Sequence, residues 1–202
     1  MTSDNPMSER PRIRARQPGE VVLHSLPPLS LYVHVPWCVR KCPYCDFNSH
    51  ELRSELPEQD YLDALEADLE QALPQIWGRQ IVSVFIGGGT PSLLSGEAMD
   101  RMLGLFRAYL NLWPETEITL EANPGTAEAA RFKEIASAGV NRLSIGIQSF
   151  NDDALKALGR IHDSAQARRA IDMAQQAFDN INLDIMFALP EQTLAQCRLD
   201  VE

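Results

Sequence analysis

The sequence predicts an α/β fold built on a parallel sheet, with its functional site at the C-terminal ends of the strands. Two observations carry the fold class. Five short apolar segments alternate with amphipathic helical segments along the chain, the pattern of strands joined by helical crossovers. Nearly every residue of distinctive chemistry falls directly after one of those strands, and in a (β/α) barrel that rim is where the βα loops build ligand sites.

Taken in order, Leu31–Val35 reads as the first strand, followed by a cysteine-containing loop. Leu62, Leu65, Leu69 and Leu73 recur at spacings of three and four within a helix over 61–73. Ile81–Ile86 is a buried-type strand that runs into Gly87, Gly88, Gly89, Thr90 and Pro91. A helix over 99–110 places Met99, Met102, Leu103, Phe106 and Leu110 on one face. A third strand over 117–120 ends in Glu121-Ala122-Asn123-Pro124-Gly125, and a helix over 126–138 is stopped by Gly139 at its C′ position. Arg142–Ile147 is the fourth strand and leads into Gln148. Helices over 152–158 and 163–178 precede a fifth strand over 182–187, and Thr193 caps a final helix.

Composition bounds the partners. The chain has 202 residues, enough for one domain with a full core. The net charge of −10 argues against nucleic acid or anionic membrane as the main partner. No apolar run approaches the ~18 residues of an integral membrane span. Four cysteines, three of them clustered, do not form a secreted disulfide framework, and cluster assembly on reduced thiols points to the cytoplasm. Residues 1–28 hold five prolines and Arg10, Arg12, Arg14 and Arg16 without hydrophobic periodicity, so they read as a disordered tail ahead of a core spanning 29–202.

The strongest chemical signal is Cys38, Cys42 and Cys45, a C-x3-C-x2-C spacing on the first loop. Three thiolates from one loop can hold three corners of a [4Fe–4S] cluster and leave one iron without a protein ligand. Zinc is the competing reading, with His34 or His50 as the fourth ligand. Cys197 stands apart in a helical stretch and reads as a small core residue.

The run Tyr32-Val33-His34-Val35-Pro36-Trp37-Cys38, the segment Cys42-Pro43-Tyr44-Cys45-Asp46-Phe47-Asn48-Ser49-His50, Ile86-Gly87-Gly88-Gly89-Thr90-Pro91 and Leu158-Gly159-Arg160-Ile161-His162 together resemble the radical S-adenosylmethionine (SAM) heme chaperones of the HemW type. These are relatives of the oxygen-independent coproporphyrinogen III oxidases. The resemblance covers the chain from about residue 28 onward and implies a partial radical SAM (β/α)6 barrel. It further implies a chain truncated before the last strand and the C-terminal domain, with a strand edge that would aggregate readily. Cys38, Cys42 and Cys45 are implied as metal ligands. Tyr32, Tyr44, Gly88, Gly89, Thr90, Glu121, Gln148, Arg160 and Asp184 are implied as the SAM-binding set; for Arg160 and Asp184 a surface or helix-capping role competes.

The resemblance also separates two activities. The oxidase branch is similar to C-x3-C-x2-C-x-C, and Phe47 occupies the place of that further cysteine. The implied function is therefore a heme chaperone that binds heme and delivers it to acceptor proteins, with an electron donor for its cluster. The alternative is a coproporphyrinogen oxidase, in which reductive SAM cleavage yields a radical that attacks a propionate side chain. The family's heme-associated motif would lie beyond Glu202. Ala188 also departs from a Gly-Leu-Pro ending expected after the fifth strand.

Overall fold

The computed structural model describes residues 25–126 and 129–202. The tail expected over 1–28 lies outside the described residues up to 24, and of the helix expected over 126–138 residues 127 and 128 lie outside them, while Thr126 ends a 3-10 turn. The strands are β1 (Leu29–Val35), β2 (Trp37–Cys38), β3 (His50–Glu51), β4 (Gln80–Gly88), β5 (Asn111–Ala122), β6 (Arg142–Gln148) and β7 (Ile181–Ile185). The helices are α1 (Glu58–Ile76), α2 (Gly96–Tyr109), α3 (Ala129–Ala138), α4 (Asp152–Ala157), α5 (Ser164–Gln175) and α6 (Leu194–Leu199). Single 3-10 turns cover Pro91–Leu93 and Pro124–Thr126.

Five strands form one sheet in the order β1-β4-β5-β6-β7, and every neighbouring pair is parallel. Chain order and sheet order agree, as right-handed helical crossovers require. The open five-stranded arc is a partial barrel. The short β2–β3 ladder, not expected from the sequence, pairs Trp37 with His50 and Cys38 with Glu51, closing the cysteine loop at its base.

The strands alternate more than the apolar runs suggested. Val33, Val35, Val84, Ile86, Leu120, Leu143, Ile145 and Ile147 are buried in one core with Met99, Met102, Leu103 and Phe106 of α2 and Phe132 and Ile135 of α3. The intervening residues, among them Tyr32, His34, Phe85, Glu121, Ser144 and Asp184, occupy the other face, which lines the arc. A strand of a covered parallel sheet would be apolar on both sides. Here the inner side is polar because it borders an open cavity.

Two sequence expectations need correction. The third strand runs from Asn111 rather than Glu117, because Leu112 pairs with Ile81 and residues 113–116 bulge out before Glu117 pairs with Ser83. The hydroxyl of Thr116 donates to the Ile81 carbonyl at 3.1 Å and fastens that bulge. Cys197 is not a core residue: it is only partly covered, and α6 buries none of its own residues. A short amphipathic pattern without a second apolar layer above it gives a helix but no burial.

Gly139 has φ +117, as its helix-stopping role requires. Ala188 has φ +56, a left-handed conformation that costs an L-residue about 1–2 kcal/mol. The glycine expected at this point of the sequence thus has a conformational reason. Ala188→Gly is predicted to raise unfolding stability by about 0.5–1 kcal/mol, since the strain relieved exceeds the entropy a glycine adds to the unfolded chain. Urea denaturation with an unchanged m-value checks it; equal or lower stability would refute the strain.

Candidate functional site

The C-terminal rim of the sheet holds a cavity of about 320 Å³. Cys38, Cys42, Cys45, Tyr44, Gly88, Gly89, Thr90, Glu121, Gln148, Arg160 and Asp184 all line it. Of the residues implied as cluster or SAM ligands, only Tyr32 lies apart from this lining, and neither His34 nor His50 lines it. Tyr32 stands earlier on β1 and is largely exposed, its ring stacked on Phe85 with centroids 6.2 Å apart and its hydroxyl 2.9 Å from His34 Nδ1.

The cysteine loop is positioned by its two ends. Cys38 is buried on β2, and its carbonyl accepts from Leu52 N–H at 2.8 Å. Cys42 and Cys45 stand on a turn closed by Cys45 N–H donating to the Cys42 carbonyl at 3.0 Å. His34 ties the return segment to β1, its Nε2 lying 2.8 Å from the Asn48 carbonyl.

The glycine loop is held against the start of the cysteine loop. Gly89 N–H donates to the Val35 carbonyl and Thr90 N–H to the Trp37 carbonyl, both at 2.7 Å. A Cβ on Gly89 would run into the Trp37 backbone, and one on Gly88 would meet the His34 ring at 2.8 Å. Gly88 also has φ +115. Two glycines are therefore demanded by the close approach of two backbones, as well as by whatever the cavity receives.

Glu121 accepts a hydrogen bond from Gly88 N–H at 3.0 Å. Burial raises its pKa above the ordinary carboxylate range; the Gly88 bond opposes this, and the nearby charge of Asp184 adds to it. Asp184 accepts from the Ser144 hydroxyl at 3.2 and 3.3 Å and from Asn182 Nδ2 at 2.7 Å. Burial, and secondarily the Glu121 charge, raises the Tyr32 phenol.

Arg160 crosses the mouth of the cavity. Its guanidinium donates to the Gly146 carbonyl at 2.7 Å and to Asn123 Oδ1, and it reaches Cys42 Sγ and the Tyr44 hydroxyl, each at 3.5 Å. Its Nε is buried without a hydrogen-bond partner. Tyr44 is raised by burial, with the arginine charge pulling the other way. His162 is packed away from the cavity, with Nε2 3.1 Å from the Ile147 carbonyl. Burial, then the Arg160 charge, lowers its pKa.

Asn123, Ser144 and Gly146 also line the cavity; the sequence offered Asn123 only within the motif after the third strand, and Ser144 and Gly146 only within the fourth strand. The available signal was period two along β6: Ser144, Gly146 and Gln148 are successive residues of one strand face.

Among the described residues, no three His, Cys, Asp or Glu side chains gather around a single point as one metal ion would require. Three thiols along one cavity wall instead suit a larger cluster, whose ligand sulfurs stand at separate corners. The buried, partnerless Arg160 Nε beside them supplies a cationic donor for an anionic group. The donor set fits a [4Fe–4S] cluster with an open iron and a carboxylate-bearing ligand.

A parallel (β/α) arc with three loop cysteines on a polar rim defines a barrel-type α/β domain whose cavity opens at the C-terminal ends of the strands. The radical SAM superfamily model matches residues 32–200, and the chain belongs to that superfamily. It is 54% identical over 177 residues to the heme chaperone HemW of Escherichia coli K12, covering 87% of this chain and 47% of that protein. It is 53% identical to HemW of Haemophilus influenzae, again covering 87% and 47%. The chain thus spans about half the length of the curated relatives it matches. Among solved structures, coproporphyrinogen III oxidase (HemN) from Escherichia coli superposes with a TM-score of 0.77 at 31% identity, covering 86% of this chain and 40% of that one. A protein named anSMEcpe, solved with bound AdoMet, shares the fold at TM-score 0.55 and 19% identity.

Proposed function

We propose that this chain is the cofactor-carrying part of a heme chaperone, which binds heme and passes it to acceptor proteins. The carrying observation is the single cavity that collects all three loop cysteines and eight of the nine residues expected to bind SAM. Cys38, Cys42 and Cys45 hold a [4Fe–4S] cluster as thiolates. When bound, that cluster supplies an open iron to which the amino and carboxylate groups of SAM attach.

The chain's own residues then orient the cofactor. Arg160, with its unpartnered Nε, pairs with the carboxylate. Gly88, Gly89 and Thr90 bring backbone close to the methionine end. Glu121 and Gln148 face the ribose, Asp184 supports that wall through Ser144, and Tyr44 covers the nucleoside side. Tyr32 acts from outside the cavity lining, through its contact with His34. A cluster held there would draw its electrons from a donor outside this chain, in a reducing compartment such as the cytoplasm. Among the described residues, no helix is long and apolar enough to cross a membrane.

The similarity to two HemW chaperones favours this reading over the oxidase. So does Phe47, 55% exposed at the cavity edge, where the oxidase pattern has a fourth cysteine. The test is anaerobic: load the full-length reconstituted protein with heme, add an apo-hemoprotein, and follow the Soret band. The expected result is transfer of heme, with no vinyl product from a porphyrinogen. Porphyrinogen decarboxylation would select the oxidase.

The raised Glu121 gives a second prediction. A carboxyl whose folded pKa exceeds its unfolded value costs nothing below the ordinary value of 4.5. It costs stability increasingly as pH rises through the folded value. Glu121→Gln keeps an acceptor for Gly88 N–H and removes that cost. The apo variant is therefore more stable than wild type at pH 7, with the gain vanishing in acid, while its SAM affinity falls. Denaturation at both pH values reads the difference; a gain that persists in acid would contradict the assignment.

A further inference from the structure

We propose that Asp200, at the C-terminal end of α6, is a positioning residue that holds Gln148 in its cavity-facing conformation. The proposal rests on the SAM-site reading and adds to it a residue outside the cavity.

Gln148 ends β6 with φ +70, a left-handed backbone on a non-glycine residue. Such a conformation costs on the order of 1–3 kcal/mol and persists only where its surroundings impose it. On the strand side, Met186 N–H donates to the Gln148 carbonyl at 2.9 Å. On the loop side, the next two residues are fixed by one carboxylate. The fully buried Ser149 donates its hydroxyl to Asp200 Oδ2 at 2.9 Å and lies 3.0 Å from Oδ1. Phe150 N–H donates to Asp200 Oδ1 at 2.7 Å. Ser149 Oγ in turn accepts from Asn151 N–H at 3.0 Å, so the turn and the start of α4 share the same anchor.

Asp200 is itself 7% exposed, fifty residues or so away in sequence, and also accepts from Gln192 Nε2 at 3.2 Å. Burying a carboxylate is costly unless it is fully hydrogen-bonded. This one is bonded almost wholly to the turn that follows Gln148. Two oxygens are needed to serve a hydroxyl and a backbone N–H together. An asparagine would offer one oxygen and turn an NH₂ against a donor. Arg168 stacks 4.7 Å over the Phe150 ring and closes the turn from the other side. The α6 segment, which buries none of its own apolar residues, is docked through this carboxylate.

The test is a double-mutant cycle on SAM affinity in the full-length reconstituted protein, measured by equilibrium dialysis. Asp200→Asn and, more mildly, Ser149→Ala weaken SAM binding by about tenfold while iron content stays at wild-type level. In a Gln148→Ala background the same changes weaken it by no more than about twofold, because there is no amide left to misplace. In the cofactor-free protein, hydrogen exchange at the Phe150 amide speeds up in both variants. Equal losses in the two backgrounds would make Asp200 merely structural and overturn the proposal, as would unchanged SAM affinity in both single variants. Should Asp200→Asn not fold, Ser149→Ala carries the cycle. A wild-type protein that binds cluster but no SAM would overturn the cofactor reading itself, and this proposal with it.

Discussion

Cys42→Ala removes the cluster and leaves the apo fold intact. Cys42 sits on an exposed turn, only partly covered, and its thiol meets the Arg160 guanidinium 3.5 Å away and the neighbouring Tyr44 hydroxyl. It belongs to no part of the hydrophobic core. Substitutions of this kind change stability by less than about 0.5 kcal/mol. A cluster held, as proposed, by three protein ligands would not tolerate the loss of one, so iron content and the [4Fe–4S]⁺ EPR signal of the reduced protein are expected to fall to background. In the wild-type protein that signal shifts when SAM is added. The Cys42→Ala apo protein unfolds at the same denaturant concentration as wild-type apo protein. A cluster of normal yield in the variant would refute the ligand assignment. A wild-type signal indifferent to SAM would refute the open iron.

Gly89→Ala is expected to be the most damaging single methyl group in the chain. Its Cβ would enter the space of the Trp37 carbonyl and backbone nitrogen, and backbone cannot rotate aside as a side chain can. Relief requires separating the glycine loop from the start of the cysteine loop. That breaks the Gly89-to-Val35 and Thr90-to-Trp37 hydrogen bonds, both 2.7 Å. Overpacking of about 1–3 kcal/mol and two lost bonds of about 1 kcal/mol each predict a loss of about 3–5 kcal/mol. Because Cys38 directly follows Trp37, cluster incorporation falls as well. Chemical denaturation of the apo protein and iron content after reconstitution read the two effects. A loss below about 1 kcal/mol would mean that the loops are not locked together.

The two variants separate chemistry from scaffold at one rim. Cys42 is a proposed ligand with little structural role; Gly89 carries structure that the cysteine loop depends on. Glu121 stands between them, since its carboxylate both accepts the Gly88 N–H and faces the cavity. Its raised pKa is the stability cost of keeping an acidic group there.

Much of this was legible in the residues. Local apolar periodicity located all five sheet strands and the main helices, because burial against a helix layer demands it on at least one face. Gly139 announced its positive φ, since few other residues tolerate that backbone. The cysteine spacing, the glycine run and the position of Phe47 are short-range facts, and the sequence states them directly.

Tertiary structure alone decided the rest. The bulge over residues 113–116 depends on which β4 residue Leu112 meets, a partner about thirty residues earlier in the chain. The exposure of Cys197 depends on what lies over α6, and a helical pattern cannot report that. Arg160 is more than a hundred residues from Cys42 in sequence, yet the arc brings its guanidinium to the cysteine loop. Asp200 stands in no motif and at no recognisable spacing; only the fold buries it beneath Ser149 and Phe150. Periodicity and motif spacing act over one or two turns of chain. Which distant groups share a hydrogen bond is fixed by how the strands stack, and that is decided only when the core closes.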